Sequence, residues 1–99
     1  MPITTQLSPD GSRLTINIIG KFDFSLQNDF RSTYENLNAD VYIIDMIKTE
    51  YMDSSALGML LLMREHAGGM KSDIKLENCS SDIKSILSIA NFHNLFKIT

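Results

Sequence analysis

Strand-like and helix-like segments alternate along most of this 99-residue sequence. Residues 3 to 7 and 14 to 19 read as two strands, and residues 8 to 11 between them hold the proline and glycine of a hairpin turn. Short apolar runs at residues 41 to 45 and 74 to 76 predict two more strands. Strands separated by helices favour a mostly parallel sheet with crossover helices, here preceded by an N-terminal hairpin.

Three segments show the three- and four-residue apolar spacing of helices. The first spans residues 23 to 37, and the second starts after Asp53 and stops at a glycine pair. The third includes Ile83 and can end at Asn91, after which residues 92 to 98 can add a short edge strand. The predicted order is β-β-α-β-α-β-α with a short end, which defines an α/β fold.

The charge balance points to protein partners. The formal net charge is −3, and the nine lysines and arginines are scattered, which argues against a nucleic-acid binder. Cys79 is the single cysteine, so no internal disulfide can form. The longest apolar run, residues 59 to 63, is far shorter than the ~20 residues that cross a bilayer, and no signal peptide is evident. We expect one cytoplasmic domain over residues 1 to 99, without a membrane or nucleic-acid partner.

The strand at residues 41 to 45 is apolar on both faces, so we expect it to be covered on both sides. A turn at residues 48 to 50 would then bring the chain to the edge of the sheet. In open α/β sheets, ligands and partners usually bind where strands give way to helices. The hydroxyls of Ser54 and Ser55 should therefore be accessible.

Asp53, Ser54 and Ser55 open an otherwise apolar run, and two interpretations compete. Aspartate and serine accept hydrogen bonds from the unpaired N–H groups of a first helical turn, so simple capping explains them. The alternative is that one hydroxyl is presented to a partner. Residue types alone leave both interpretations open.

The stretch DMIKTEYMDSSALGMLLLM, residues 45 to 63, resembles the signature of the STAS domain, and specifically of bacterial anti-sigma factor antagonists. Their motif, Asp-Ser-Ser-Gly-Leu-Gly after a strand, stands here as residues 53 to 58. The segment before the first helix, residues 20 to 23, extends the resemblance over nearly the whole chain. Ala56 replaces the usual glycine, and alanine makes the helix start stiffer.

The resemblance implies a phosphorylation switch at Ser55. An anti-sigma factor with serine-kinase activity would modify this hydroxyl, and a serine phosphatase would reverse the modification. The unmodified form would bind the anti-sigma factor and so free a sigma factor for transcription. ATP belongs to the kinase, so the chain itself needs no cofactor and is not an enzyme. The stretch SALGMLLLMREHAGG, residues 55 to 69, looks most similar to the antagonists that gammaproteobacteria couple to two-component signalling in motility and biofilm control, in which kinase and phosphatase can reside in a response regulator.

Phosphate adds about −1.5 to −2 charges, which the N–H groups of a helix start tolerate. A partner surface fitted to a neutral hydroxyl would instead meet a dianion beside Asp53 and Asp23, at a cost of several kcal/mol. Control would then come from lost binding rather than from refolding. The predicted partner contacts are Asp23, Asp53, Ser54, Ala56, Met59 and Leu62.

The apolar residues of the second helix exceed one buried stripe. Leu57, Leu60, Leu61 and Met63 can face the core, while Met59 and Leu62 extend beyond them. Either the helix is buried on two sides, or Met59 belongs to an exposed ridge that meets the partner.

The first rival to the switch, a serine hydrolase, comes from a different class of function. A serine hydrolase needs a base beside Ser55, but His66 lies eleven residues along the same helix, about 16 Å away, and His93 could approach only through the tertiary fold. Neither serine lies in a G-x-S-x-G elbow. Cys79 and the histidines lack metal-ligand spacing. The nearer rival is a STAS scaffold that is never phosphorylated.

Overall fold

A computed structural model describes residues 2–99. Its main sheet holds, in spatial order, β1 (Ile3–Leu7), β2 (Arg13–Ile18), β4 (Val41–Asp45), β6 (Ile74–Glu77) and β7 (Lys97–Ile98). A second, two-stranded sheet pairs β3 (Gly20–Phe22) with β5 (Thr49–Met52). The β1–β2 hairpin is antiparallel and every other pair is parallel, which confirms the predicted sheet and hairpin.

Three α-helices connect the strands: α1 (Gln27–Tyr34), α2 (Ser54–His66) and α3 (Ser81–Ile89). The predicted stops are confirmed, because Gly68 and Asn91 take positive φ just beyond α2 and α3. Single 3-10 turns occupy Phe24–Leu26, Gly69–Lys71 and Phe92–Asn94. Within residues 2–99, no helix has both the length and the apolar character to cross a membrane.

The core lies on one face of the main sheet. Ile16, Ile44 and Leu76 stand in one row across β2, β4 and β6, and all three are fully buried together with side chains of the three helices. On the other face, Ile43 lies beside Thr15 and is only partly buried. The prediction that β4 is covered on both sides is therefore wrong. Ile43 suits a strand through its β-branched shape, which does not require burial.

Helix α1 is shorter than the predicted 23-to-37 helix. It starts after the 3-10 turn and ends at Tyr34. The carbonyl of Leu37 lies outside the helix, where it accepts a hydrogen bond from the Tyr42 hydroxyl at 3.2 Å and lies 2.8 Å from His66 Nε2. These contacts hold the residues after Tyr34 in a conformation that does not continue the helix.

The turn predicted around residues 48 to 50 lies slightly earlier, at residues 47 and 48, where the N–H of Thr49 donates to the carbonyl of Met46 at 3.1 Å, and β5 begins at Thr49. The buried Thr49 hydroxyl donates to the carbonyl of Ile18 at 2.7 Å, and the N–H of Gly20 donates to the carbonyl of Lys48 at 2.9 Å. Both bonds join residues about thirty positions apart, so local sequence could not indicate them. They fix the small sheet against the end of β2.

Candidate functional site

The small sheet brings two helix starts side by side. In the parallel register of β3 and β5, Phe22 lies opposite Met52, so the next residue of each strand, Asp23 and Asp53, leaves the same end of the sheet. The N–H of Asp53 also donates to the carbonyl of Phe22 at 3.4 Å. Two carboxylates that are thirty residues apart in sequence thus share one edge.

Asp53 caps α2 and holds Ser55. One carboxylate oxygen, Oδ1, accepts the Ser55 hydroxyl at 2.6 Å and the N–H groups of Ser55 and Ala56 at 3.0 and 3.2 Å. Ser54 is exposed and Ser55 is partly exposed, so solvent reaches both serines. The predicted cap is confirmed, and the Ser55 hydroxyl is oriented by its neighbour without being sealed inside the protein.

Asp23 repeats this arrangement at the neighbouring helix start. Its Oδ1 accepts the N–H and the hydroxyl of Ser25 at 3.0 and 2.5 Å. The side chain therefore caps the 3-10 turn that leads into α1. Sequence reasoning missed Ser25, although the shared aspartate-x-serine spacing at 23–25 and 53–55 was a usable signal.

The hydrogen bond from Ser55 lowers the pKa of the Asp53 carboxyl. It is the main reason why the pKa of Asp53 lies below its ordinary value of 3.8, with smaller contributions from the N–H groups of Ala56 and Ser55, against a partial rise from desolvation. Because the folded-state pKa is lowered, the carboxylate's contribution to stability is present above about pH 4 and is lost as the pH falls through that lowered pKa.

We therefore expect the pKa of Asp53, followed by carboxyl NMR, to rise toward 3.8 in Ser55→Ala. Asp10 is the control, because Ser8 and Ser12 lower its pKa to about 2 at a separate turn that this substitution leaves intact. An identical Asp53 titration in both proteins would show that the hydroxyl does not hold the carboxylate in solution.

Among the predicted partner contacts, the structure leaves some exposed and buries others. Leu62 is 57% exposed, but Met59 is only 5% exposed and Ala56 is fully buried. The expectation that Met59 and Ala56 meet a partner directly is therefore wrong for this conformation. Ala56, Met59, Leu60 and Met63 form the buried arc at i, i+3, i+4 and i+7, and this arc turns Leu61 outward, contrary to its predicted core position.

Helix α2 is accordingly buried on one side, and neither alternative for its apolar run holds. Instead of a Met59 ridge, the exposed apolar residues beside Asp23 and Asp53 include Phe24, at 65% exposure, and Tyr51. Sequence reasoning missed both aromatics. The usable signal was one aromatic residue, Phe24, directly after Asp23 and a second, Tyr51, at two positions before Asp53. Both lie at the end of the sheet where partners were expected.

The Ser55 hydroxyl donates to Asp53 and to no histidine. The histidine on the same helix, His66, is engaged elsewhere: its Nε2 lies 2.8 Å from the Leu37 carbonyl and its ring packs on Tyr34 with centroids 5.1 Å apart. Residues 2–99 contain no group of three or more His, Cys, Asp or Glu that could hold a metal ion. Neither of the two ion pairs in this part of the chain involves Asp23 or Asp53, so both carboxylates face the surface without a lysine or arginine partner.

Comparison with known protein families shows to which family this chain belongs. A family model described as "Mlab, STAS domain" matches residues 5–98. The chain belongs to the STAS domain family. The resemblance in the serine motif is thereby confirmed across almost the full length, and with it the α/β fold.

This STAS domain is also similar to particular proteins. It is 50% identical to a STAS-domain containing protein of Pseudomonas aeruginosa (strain UCBPP-PA14), over the full length of both chains. The anti-sigma factor antagonist SpoIIAA in its unphosphorylated form superposes with a TM-score of 0.78 at 13% identity, covering 98% of this chain and 87% of that one. An anti-sigma factor antagonist from Mycobacterium paratuberculosis gives 0.76 at 15% identity, covering 97% and 84%. At these identities the two structures establish a shared fold.

Proposed function

We propose that this STAS domain is an anti-sigma factor antagonist controlled by reversible phosphorylation of Ser55. The unmodified protein binds an anti-sigma factor and thereby frees a sigma factor. Phosphorylation by a partner with serine-kinase activity releases the complex, and a serine phosphatase, carried by a response regulator in one version of the system, restores it. The domain, over residues 1–99, contributes no catalysis and works in the cytoplasm.

One observation carries this proposal: Ser55 is partly exposed at the start of α2, and its hydroxyl is held by Asp53 at 2.6 Å. A kinase needs an acceptor oxygen that is both reachable and oriented, and this geometry provides both. Capping alone does not account for Ser55, since Asp53 already caps the helix. The anti-sigma factor antagonists with the same fold support the class of partner.

The site suits a switch that acts on binding and preserves the fold. Ser55 is the second residue of α2, where the helix dipole favours an anion. Phosphorylation removes the hydroxyl proton that Asp53 now accepts, so the phosphate must turn outward, away from that carboxylate. There it projects onto the surface shared with Asp23 and Phe24, where a bound partner would have to bury it.

The test begins with pull-downs from the native cell, using wild-type and Ser55→Asp baits read by mass spectrometry, and with phosphate mapping of the endogenous protein. The proposal expects phosphate on Ser55, and an anti-sigma factor on the wild-type bait that is lost from the Ser55→Asp bait. Recovery of the same partner by both baits, with Ser55 unmodified in cells, would support the never-phosphorylated scaffold instead.

A further inference from the structure

Gly58 occupies a position that the fold itself does not require to be glycine. It lies in the interior of α2, is exposed, and a Cβ built there would meet no atom within 4 Å. Its backbone is not in the left-handed region that favours glycine. Glycine inside a helix is less favourable than alanine, so folding alone would favour a side chain here. The missing Cβ therefore leaves room for a partner molecule to approach the backbone of α2 at this position.

Gly58 is also continuous with the switch surface. It follows Ser55 by three residues and precedes Leu62 by four, so the three lie on one side of α2, on successive turns. Leu62 borders an open depression of about 430 Å³ between α1 and α2, whose other lining residues are Arg31, Tyr34, Glu35 and His66. Three residues that are exposed or partly exposed, Ser55, Gly58 and Leu62, thus connect the phospho-acceptor to this depression.

We propose that an α-helix of the anti-sigma partner crosses α2 at Gly58 and lays its apolar side against Leu62, an inference that rests on the proposed function. Packed helices usually lie 8–10 Å apart, depending on the side chains at the contact, and a glycine allows the closest approach. An amphipathic helix in a groove is a common mode of partner recognition. An extended strand would find no pairing edge, because the N–H groups of this part of α2 are bonded within the helix.

This geometry also explains how one phosphate can release the partner. The crossing point lies one helical turn from Ser55, about 4.5 Å along the axis. A partner helix in contact with the bare backbone at Gly58 would pass directly over the Ser55 side chain. A dianion there would be buried against that helix or would push it away.

The experiment compares Gly58→Ala and Gly58→Gln with wild type, and the probe is the purified protein that the unmodified bait retains. We expect Gly58→Ala to raise the thermal midpoint by about 3–6 °C, since it improves helix propensity. The same change should weaken probe binding at least tenfold, and the longer Gly58→Gln should weaken it further. Ser88→Ala, at an exposed position of α3, is the matched control: it should stabilise slightly and leave binding unchanged.

The opposite signs for stability and affinity make the result decisive. If Gly58→Ala binds like wild type while Ser55→Asp loses the probe, the helix crossing is wrong and the phosphorylation switch stands. If Ser55→Asp also binds like wild type, the proposed function fails. If Gly58→Ala only shifts a monomer–dimer equilibrium in analytical ultracentrifugation, the occupant is a second copy of this chain and the proposal is overturned.

Discussion

Replacing Ser55 with aspartate should weaken binding of the anti-sigma partner about 100-fold or more while the domain stays folded. An aspartate here adds a charge beside Asp53, and within residues 2–99 no lysine or arginine forms an ion pair with Asp53 or Asp23. Burying such a charge in an interface costs several kcal/mol, and about 2.8 kcal/mol corresponds to a factor of 100 in affinity. Isothermal titration calorimetry against the purified partner measures this loss.

Two variants separate charge from side-chain size and from general effects of an acidic helix start. Ser55→Asn has nearly the size of aspartate without the charge, so it should bind much better than Ser55→Asp. Ser81→Asp adds the same charge to the exposed first residue of α3 and should leave affinity unchanged. Equal losses of affinity for Ser55→Asn and Ser55→Asp would show that side-chain size rather than charge governs the contact with the partner.

The largest loss of stability is expected from Leu60→Ala. Leu60 is fully buried in the core, and truncating a buried leucine costs about 2–5 kcal/mol because the cavity left behind closes only partly. Domains of this size are stable by only about 5–15 kcal/mol, so the variant should lose a large share of its stability. Urea unfolding followed by circular dichroism gives the difference in free energy of unfolding.

Leu62→Ala is the matched control, because the same residue type stands two positions away on the exposed side of α2. Its free energy of unfolding should change by less than about 0.5 kcal/mol. Similar losses at both positions would mean that the helix is rotated relative to its described orientation. The pair therefore tests which side of α2 faces the core, and with it whether Ser55 and Gly58 face outward.

Much of this architecture follows from local signals. Alternation at Leu14, Ile16 and Ile18 marks the buried face of β2, and the positive-φ residues Gly68 and Asn91 mark two helix ends. The caps at Asp23 and Asp53 were likewise predictable, since an aspartate directly before a helix commonly caps the N–H groups of its first turn. The choice of Ser55 as the proposed phosphorylation site came from the resemblance of the serine motif to a family, because residue types alone do not separate a capping serine from a presented one.

What the sequence could not reveal depends on contacts between distant segments. The pairing of β3 with β5 joins two very short strands, and only this pairing places Asp23 beside Asp53. The outward turn of Leu61 and the burial of Met59 depend on how α2 is rotated against the sheet. A helix with apolar residues on most sides does not encode that rotation in its own periodicity.

The most direct measurement of the central claim uses protein carrying phosphoserine at position 55, compared with unmodified protein in calorimetric binding to the anti-sigma partner and in NMR spectra of the free domain. We predict spectral changes confined to residues around the starts of α1 and α2, together with loss of measurable binding. Retained affinity, or spectral changes throughout the core, would contradict a switch that acts by placing charge at an interface.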